Sequence, residues 1–264
     1  EIPESEILSR ADPDDEDGDG ISGRPNWDRG FAGRFGLKAQ TVSIEGFLRG
    51  PMFNHLGITT DPLSEGQKGA LPVDSSSRST SQYLPAVEAL RAFAQAAAPD
   101  GPLADSDSIP DPEMSGGDLF ALVSFAMLLA APEMEPPSER SIRGAEIFDE
   151  IGCATCHTPR LNGPRGPLHV YSDLLLHDMG EELADGFEMG VATGSEFRTQ
   201  PLWGLAATGP YLHDGRAETI EESVLLHGGE SQGSRDKAAE LSKQDFDDLV
   251  EFMLSLGGRN QYSS

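Results

Sequence analysis

The octapeptide GCATCHTP, Gly152 to Pro159, limits this chain more than any other feature. It holds both cysteines, Cys153 and Cys156, and one of the six histidines, His157. A C-x-x-C pair serves three chemistries. A structural zinc site needs four N or S ligands, and two cysteines would leave distant histidines to complete it. A thioredoxin-like redox pair expects a βαβ setting, and strand signals here are weak throughout. Covalent haem c attachment needs what the motif supplies. Two thiols spaced by two residues on a helical turn meet the two vinyl groups of one porphyrin, and the histidine that follows lies under the iron as proximal ligand. The motif therefore predicts one haem c bound through Cys153, Cys156 and His157. It leaves no cysteine for a disulfide and predicts a periplasmic or other extracytoplasmic location.

Charge narrows the partners. The 264 residues carry 19 Lys and Arg against 45 Asp and Glu, a net charge of −26. Repulsion argues against nucleic acid and anionic membranes as natural partners. Such acidity suits solubility in salt, and it also suits an acidic face for a basic redox protein. The most apolar run, Leu119 to Ala131, is too short to span a bilayer and reads as a buried helix. The chain starts abruptly at EIPESEILSR with no signal-peptide pattern, as a processed or trimmed start would.

Periodicity predicts a mostly helical protein without internal repeats. A helix is expected after Lys38, and another over SQYLPAVEALRAFAQAAA, where Leu84, Val87, Leu90 and Phe93 fall on one side. Asp118 is expected to cap the apolar helix. Pro136-Pro137 break the chain, which gives two segments, 1–138 and 139–264. The second opens on a helix with Ile142, Ala145, Ile147, Phe148 and Ile151 on its apolar side, running into the cysteine motif. It closes on a helix begun by a Ser242/Asp245 capping box, striped by Phe246, Leu249, Val250, Met253 and Leu254, and stopped by Gly257-Gly258.

Near the start, DPDDEDGDGISG places Asp15, Asp17 and Asp19 at alternate positions before Gly20. Alternating hard oxygens and a glycine turn are the beginning of a calcium loop, with the Ile21 carbonyl, Asp12, Asp14 or waters available to complete the shell. The pattern departs from an EF-hand because Asn26 stands where the bidentate Glu belongs.

A second axial ligand has to come from elsewhere. His55, His169, His177, His213 and His227 remain, with seven methionines. The informative contexts are LLLHDMG (His177, Met179), GPYLHDGR (His213) and ESVLLHGGE (His227).

These segments carry a resemblance. ADPDDEDGDGISGRPN, GRFGLKAQ, YSDLLLHDMG, PLWGL, LHDGRA and HGGE occur in order along nearly the whole chain. They resemble the bacterial di-haem oxidoreductases once called thiol oxidoreductases, which are related to the di-haem cytochrome c peroxidases. The resemblance implies a cytochrome c-like helical haem domain over 139–264, preceded by a loop-rich, partly helical segment over 1–138 that binds calcium between haem domains. It favours His227 as distal ligand, because the family's distal methionine lies at the corresponding distance from His213. His177, Met179 and His213 remain alternatives. Two imidazoles would lower the potential relative to His/Met and close both faces of the haem. The same comparison puts Arg198 beside a haem propionate and Trp203 and Tyr211 in the wall, where core packing also accounts for the aromatics.

The resemblance further implies a second C-x-x-C-H site upstream of IPES, which residues 1–264 do not contain, either removed or on another subunit. Relatives often have tryptophan before the lysine of GRFGLKAQ; Leu37 stands there, which puts an aromatic relay in doubt. The implied activity is electron transfer in a peroxidase-like oxidoreductase, between a small cytochrome or cupredoxin and that second haem. The rival reading is a mono-haem cytochrome subunit or carrier of a respiratory assembly.

Overall fold

The helices of the second segment begin where side chains can satisfy their first N–H groups. In the computed structural model, which describes residues 2–73 and 101–259, Ser138 caps a helix over Glu139–Glu150 in a reciprocal box with Ser141. Ser242 Oγ accepts from the Asp245 N–H at 3.1 Å and opens the last helix, Lys243–Leu254. That helix ends before Gly257 and Gly258, whose φ of +110° and +100° favours glycine. Thr219 and Glu222 form a complete capping box on Ile220–Leu226, the helix that delivers His227.

In chain order the helices are α1 (Glu4–Leu8), α2 (Ile44–Leu56), α3 (Glu65–Gly69), α4 (Gly116–Leu128), α5 (Glu139–Glu150), α6 (Ile220–Leu226), α7 (Gln232–Ala239) and α8 (Lys243–Leu254). Strand structure among the described residues is limited to three antiparallel pairs. They are β1 (Trp27–Asp28) with β2 (Phe31–Ala32), β3 (Leu161–Gly163) with β4 (Gly166–Leu168), and β5 (Leu176–Asp178) with β6 (Glu196–Arg198). The mostly helical expectation holds. No helix among the described residues is long and apolar enough to cross a membrane.

Several local expectations change. The helix expected over residues 82–99 lies outside the described residues. Ser115, not Asp118, caps α4: Ser115 Oγ accepts from the Asp118 N–H at 3.1 Å, which puts Asp118 in the first turn. Ile142 is exposed, while Ser141 and Gly144 join Ile147 and Phe148 on the buried side of α5. The reason is the closeness of α8. A Cβ on Gly144 would stand 2.0 Å from the Asp248 carbonyl oxygen and 2.7 Å from Phe252 Cβ.

The main core lies between α5 and α8 and gathers Ile147, Phe148, Ile151, Tyr171, Ile220, Leu249, Phe252 and Met253. A second cluster joins the two segments: Ile7 of α1 packs with Leu161, Val170, Leu174 and Leu175. Arg24 and Leu176 exchange backbone hydrogen bonds at 3.1 and 2.8 Å. The Lys38 ammonium is buried, donating to the Thr193 and Glu196 carbonyls at 2.9 Å each and lying 3.2 Å from Asp185 Oδ1. Residues 2–42 are thus packed against 161–230 across the sequence break at residue 138.

Candidate haem site

The cysteine motif leaves the C-terminal end of α5 as a tight turn. The Cys153 N–H donates to the Phe148 carbonyl at 3.0 Å, and the His157 N–H donates to the Cys153 carbonyl at 3.0 Å. This winding brings Cys153, Cys156 and His157 to one end of the helix. Both cysteines are free thiols. Burial pushes the Cys153 thiol up to about 12, and burial also raises Cys156 despite a contact with His177.

His157 is oriented from behind. Its Nδ1–H donates to the Tyr171 carbonyl at 3.0 Å, and its ring lies 6.3 Å from Phe148. Phe148, Tyr171 and Phe252 form an edge-to-face trio with centroid separations of 5.3 to 6.2 Å. Such pairs contribute about 1 kcal/mol each beyond burial. Burial first, and then the neighbouring His227 ring, push His157 down to about 4.

His227 caps the C-terminus of α6, and its Nδ1–H donates to the Ser223 carbonyl at 2.7 Å. Burial lowers this imidazole too. The two histidines are therefore neutral neighbours in the same state. Each spends its Nδ1 proton on a backbone carbonyl, which fixes the tautomer and leaves Nε2 as the basic atom.

The alternatives are otherwise engaged. His177 Nε2 donates to Asp173 Oδ2 and Nδ1 to Glu230 Oε2, both at 2.8 Å, so both nitrogens carry protons. Burial alone would neutralise it; hydrogen bonds to Asp173, Cys156 and Glu230 outweigh burial and hold it up to about 12. An imidazolium has no lone pair for iron. The His213 ring stacks on Phe197 at 4.2 Å, and Lys38 Nζ lies 4.0 Å from the centre of the same phenyl ring. Met179 is partly buried beside Gly228, against which its carbonyl lies.

Arg198 Nε donates to the Gly36 carbonyl at 2.9 Å and its Nη2 to Gln200 Oε1 at 2.8 Å. Among the described residues no carboxylate forms a salt bridge with it. Burial lowers it to about 10, partly offset by Asp173, and it stays charged. Trp203 packs against the Ile7–Leu175 cluster, apart from the trio around His157. Tyr211 packs on the main core and donates its hydroxyl to the Leu205 carbonyl at 3.2 Å.

In the acidic loop the carboxylates of Asp12, Asp15 and Asp17 lie within 4.8 Å of one another. Asp19 is not in that group; its Oδ1 accepts from the Ile21 N–H at 2.8 Å. Asn26 is fully buried and points away, its Nδ2 donating to the Lys38 and Met189 carbonyls at 2.7 Å each.

Sequence reasoning missed Asp173 and Glu230, although both lie inside the segments YSDLLLHDMG and HGGE. It also missed the Tyr171 and Ser223 carbonyls, for which no side chain gives a signal.

A helical domain with a C-x-x-C-H turn at a helix end, two half-buried thiols and a histidine whose Nδ1 is tied to a carbonyl has the features of the c-type cytochrome class. Nothing in the donor set conflicts with a haem: soft thiols, two neutral imidazoles and a partly buried cation for its carboxylates. The particular family follows from comparison. Its sequence model, described as "Di-haem oxidoreductase, putative peroxidase", matches residues 1–256, and the chain belongs to that family. Curated relatives include hydrazine synthase subunit gamma of Kuenenia stuttgartiensis, 26% identical over 45% of this chain and 41% of that protein. Methylamine utilization protein MauG of Methylorubrum extorquens is 31% identical over 43% and 33%. Cytochrome c peroxidase Ccp of Escherichia coli is 32% identical over 44% and 25%. The chain therefore spans less than half the length of each.

Proposed function

We propose that this chain is the electron-transfer part of a di-haem peroxidase-like oxidoreductase. Cys153 and Cys156 would attach one haem c, and His157 and His227 would be the two residues that hold its iron. It passes electrons between a small redox protein, a cytochrome or cupredoxin, and a second haem outside residues 1–264. The observation that carries this reading is the matched pair His157 and His227, each neutral, each with Nδ1 tied to a carbonyl and Nε2 left over.

Bound haem supplies a one-electron ferric/ferrous couple. The residues do the rest. With haem bound, His157 and His227 would be the two protein groups holding the iron, which would leave no open position for an oxidant. Their Nδ1–H bonds to Tyr171 and Ser223 raise ligand basicity and fix ring orientation. Phe148, Tyr171 and Phe252 exclude water beside His157 and lower the local dielectric. Arg198 offers a partly buried cation to a propionate. Covalent attachment at Cys153 and Cys156 supports an extracytoplasmic location. Calcium, in this reading, is held by Asp12, Asp15 and Asp17, with Asp19 and the Ile21 carbonyl close by in sequence.

The test is a haem count and a ferric spectrum on the native protein. A pyridine haemochrome assay with intact mass gives haems per polypeptide. Low-spin ferric spectra that turn high-spin in His227→Ala support the pair. A high-spin resting spectrum, or an unchanged low-spin spectrum in His227→Ala, overturns it. One haem with no second haem domain or subunit in the native protein favours the mono-haem carrier.

A further inference from the structure

We infer that Glu230, acting through His177, is a positioning residue for His227: the Asp173–His177–Glu230 bridge sets where the distal imidazole stands relative to His157. This rests on the bis-histidine reading and deepens it.

The bridge has one foot on each side. On the His157 side, the segment 171–173 is stitched to the cysteine motif. The Tyr171 carbonyl accepts from His157 Nδ1, the Ser172 N–H donates to the Thr158 carbonyl, and the Asp173 N–H donates to the Cys156 carbonyl, all at 3.0 Å. Asp173 then holds His177 Nε2 at 2.8 Å, and His177 Nδ1 lies 3.6 Å from Cys156 Sγ. On the other side, the chain leaves His227 through Gly228 and Gly229, neither of which has a side chain to anchor it. Gly229 sits at φ +55°, where a Cβ would stand 2.1 Å from the Asp178 carbonyl oxygen. The first side chain after His227 is Glu230, and its carboxylate is fully used. Oε2 accepts from the Ser22 N–H at 3.0 Å and His177 Nδ1 at 2.8 Å; Oε1 accepts from Ser22 Oγ at 3.0 Å and the Asp178 N–H at 3.2 Å.

A rigid imidazolium with a carboxylate on each nitrogen is a strut, because rotating the ring breaks both charge-assisted bonds. It is buried, as is Asp173. Without Glu230 the loop 228–230 loses its tie to β5 and Ser22, and His227 loses its fixed approach. The effect on the distal ligand should match the loss seen when a second partner of a metal ligand is removed, about 10–100-fold in ligand affinity.

The experiment uses the haem-loaded full chain with Glu230→Ala, Glu230→Gln and His227→Ala, read by electron paramagnetic resonance and by titration with cyanide, which competes for the distal position. Glu230→Ala should raise apparent cyanide affinity about 10–100-fold and shift the low-spin g values. Glu230→Gln, whose amide oxygen still accepts from His177, should recover part of both. A purely structural role would lower the melting temperature and leave cyanide affinity and g values alone. If His227→Ala stays low-spin, the bis-histidine reading fails. If His227→Ala turns high-spin while Glu230→Ala binds cyanide like the parent with unchanged g values, the positioning role is wrong. Should Glu230→Ala fail to load haem, the same two readouts on Glu230→Gln decide it, parent-like values in both counting against the role.

Discussion

Replacing Gly144 by alanine should drive α5 and α8 apart. The new Cβ would meet the Asp248 carbonyl oxygen at 2.0 Å, its carbon at 2.7 Å and Phe252 Cβ at 2.7 Å. Two of these three atoms are backbone, so no rotamer change relieves the clash. Restoring an ordinary contact of 3.4 Å at the oxygen needs about 1.4 Å of separation, and a gap of even about 1 Å forfeits up to about half of each dispersion contact along the interface. Overpacking of this kind costs about 3 kcal/mol. Alanine returns about 1 kcal/mol through its better helix propensity. The net loss is about 2 kcal/mol, or roughly 4–8 °C in melting temperature for a domain of this size. Differential scanning calorimetry on the haem-loaded protein measures it. The consequence should reach the site, because Phe252 faces Phe148 at 5.3 Å and Phe148 flanks His157. A Gly144→Ala protein that melts at or above the parent temperature would refute the argument that backbone proximity, not chance, selects glycine at the helix crossing.

Two further outcomes are expected. Arg24 Nε donates to Glu196 Oε1 at 2.6 Å; burial raises the Glu196 carboxyl, and the Arg24 and Thr193 hydrogen bonds outweigh it, so its folded value falls below the ordinary 4.5. A depressed carboxyl stabilises the fold above its unfolded value and loses that contribution as pH falls through the folded one. Acid unfolding followed by circular dichroism should therefore show a smaller loss of stability below pH 4.5 in Arg24→Met, with about 1 kcal/mol less stability at neutral pH. Calcium at about 100 times its dissociation constant should stabilise the protein by about 2.7 kcal/mol, an increment that chelator removes and Asp15→Asn abolishes; equal melting temperatures with calcium and with chelator would remove calcium from the reading.

The elements that sequence made legible are those whose signals are local. The cap at Ser242, the double proline and the C-x-x-C-H spacing each act over a few residues, and the structure keeps them. What sequence could not show depends on contacts between distant segments. LLLHDMG offers His177 as a ligand on equal terms with any histidine; only the approach of Asp173 from one side and Glu230 from another protonates both nitrogens and withdraws it. Asp15, Asp17 and Asp19 alternate in sequence, but a loop is not a strand. Asp15 at φ +49° turns the chain so that Asp12 joins the group, while Asp19 accepts from the Ile21 N–H. Ile142 fits the helical stripe, yet α8 approaches along the Ser141–Gly144 edge and leaves it in solvent.

The Ile7 cluster has a consequence for how the molecule comes into being. A ribosome releases α1 when Leu161, Val170, Leu174 and Leu175 do not yet exist, and more than half the chain must follow before that apolar surface has a mate. Contacts of such long sequence separation close slowly. Cys153 and Cys156, by contrast, sit on a turn wound by neighbours a few residues away, so that turn can form while Ile7 is still apart from Leu161 and Leu175. A fragment starting at residue 139 would keep that turn and leave its second cluster open to water, with insolubility as the outward sign.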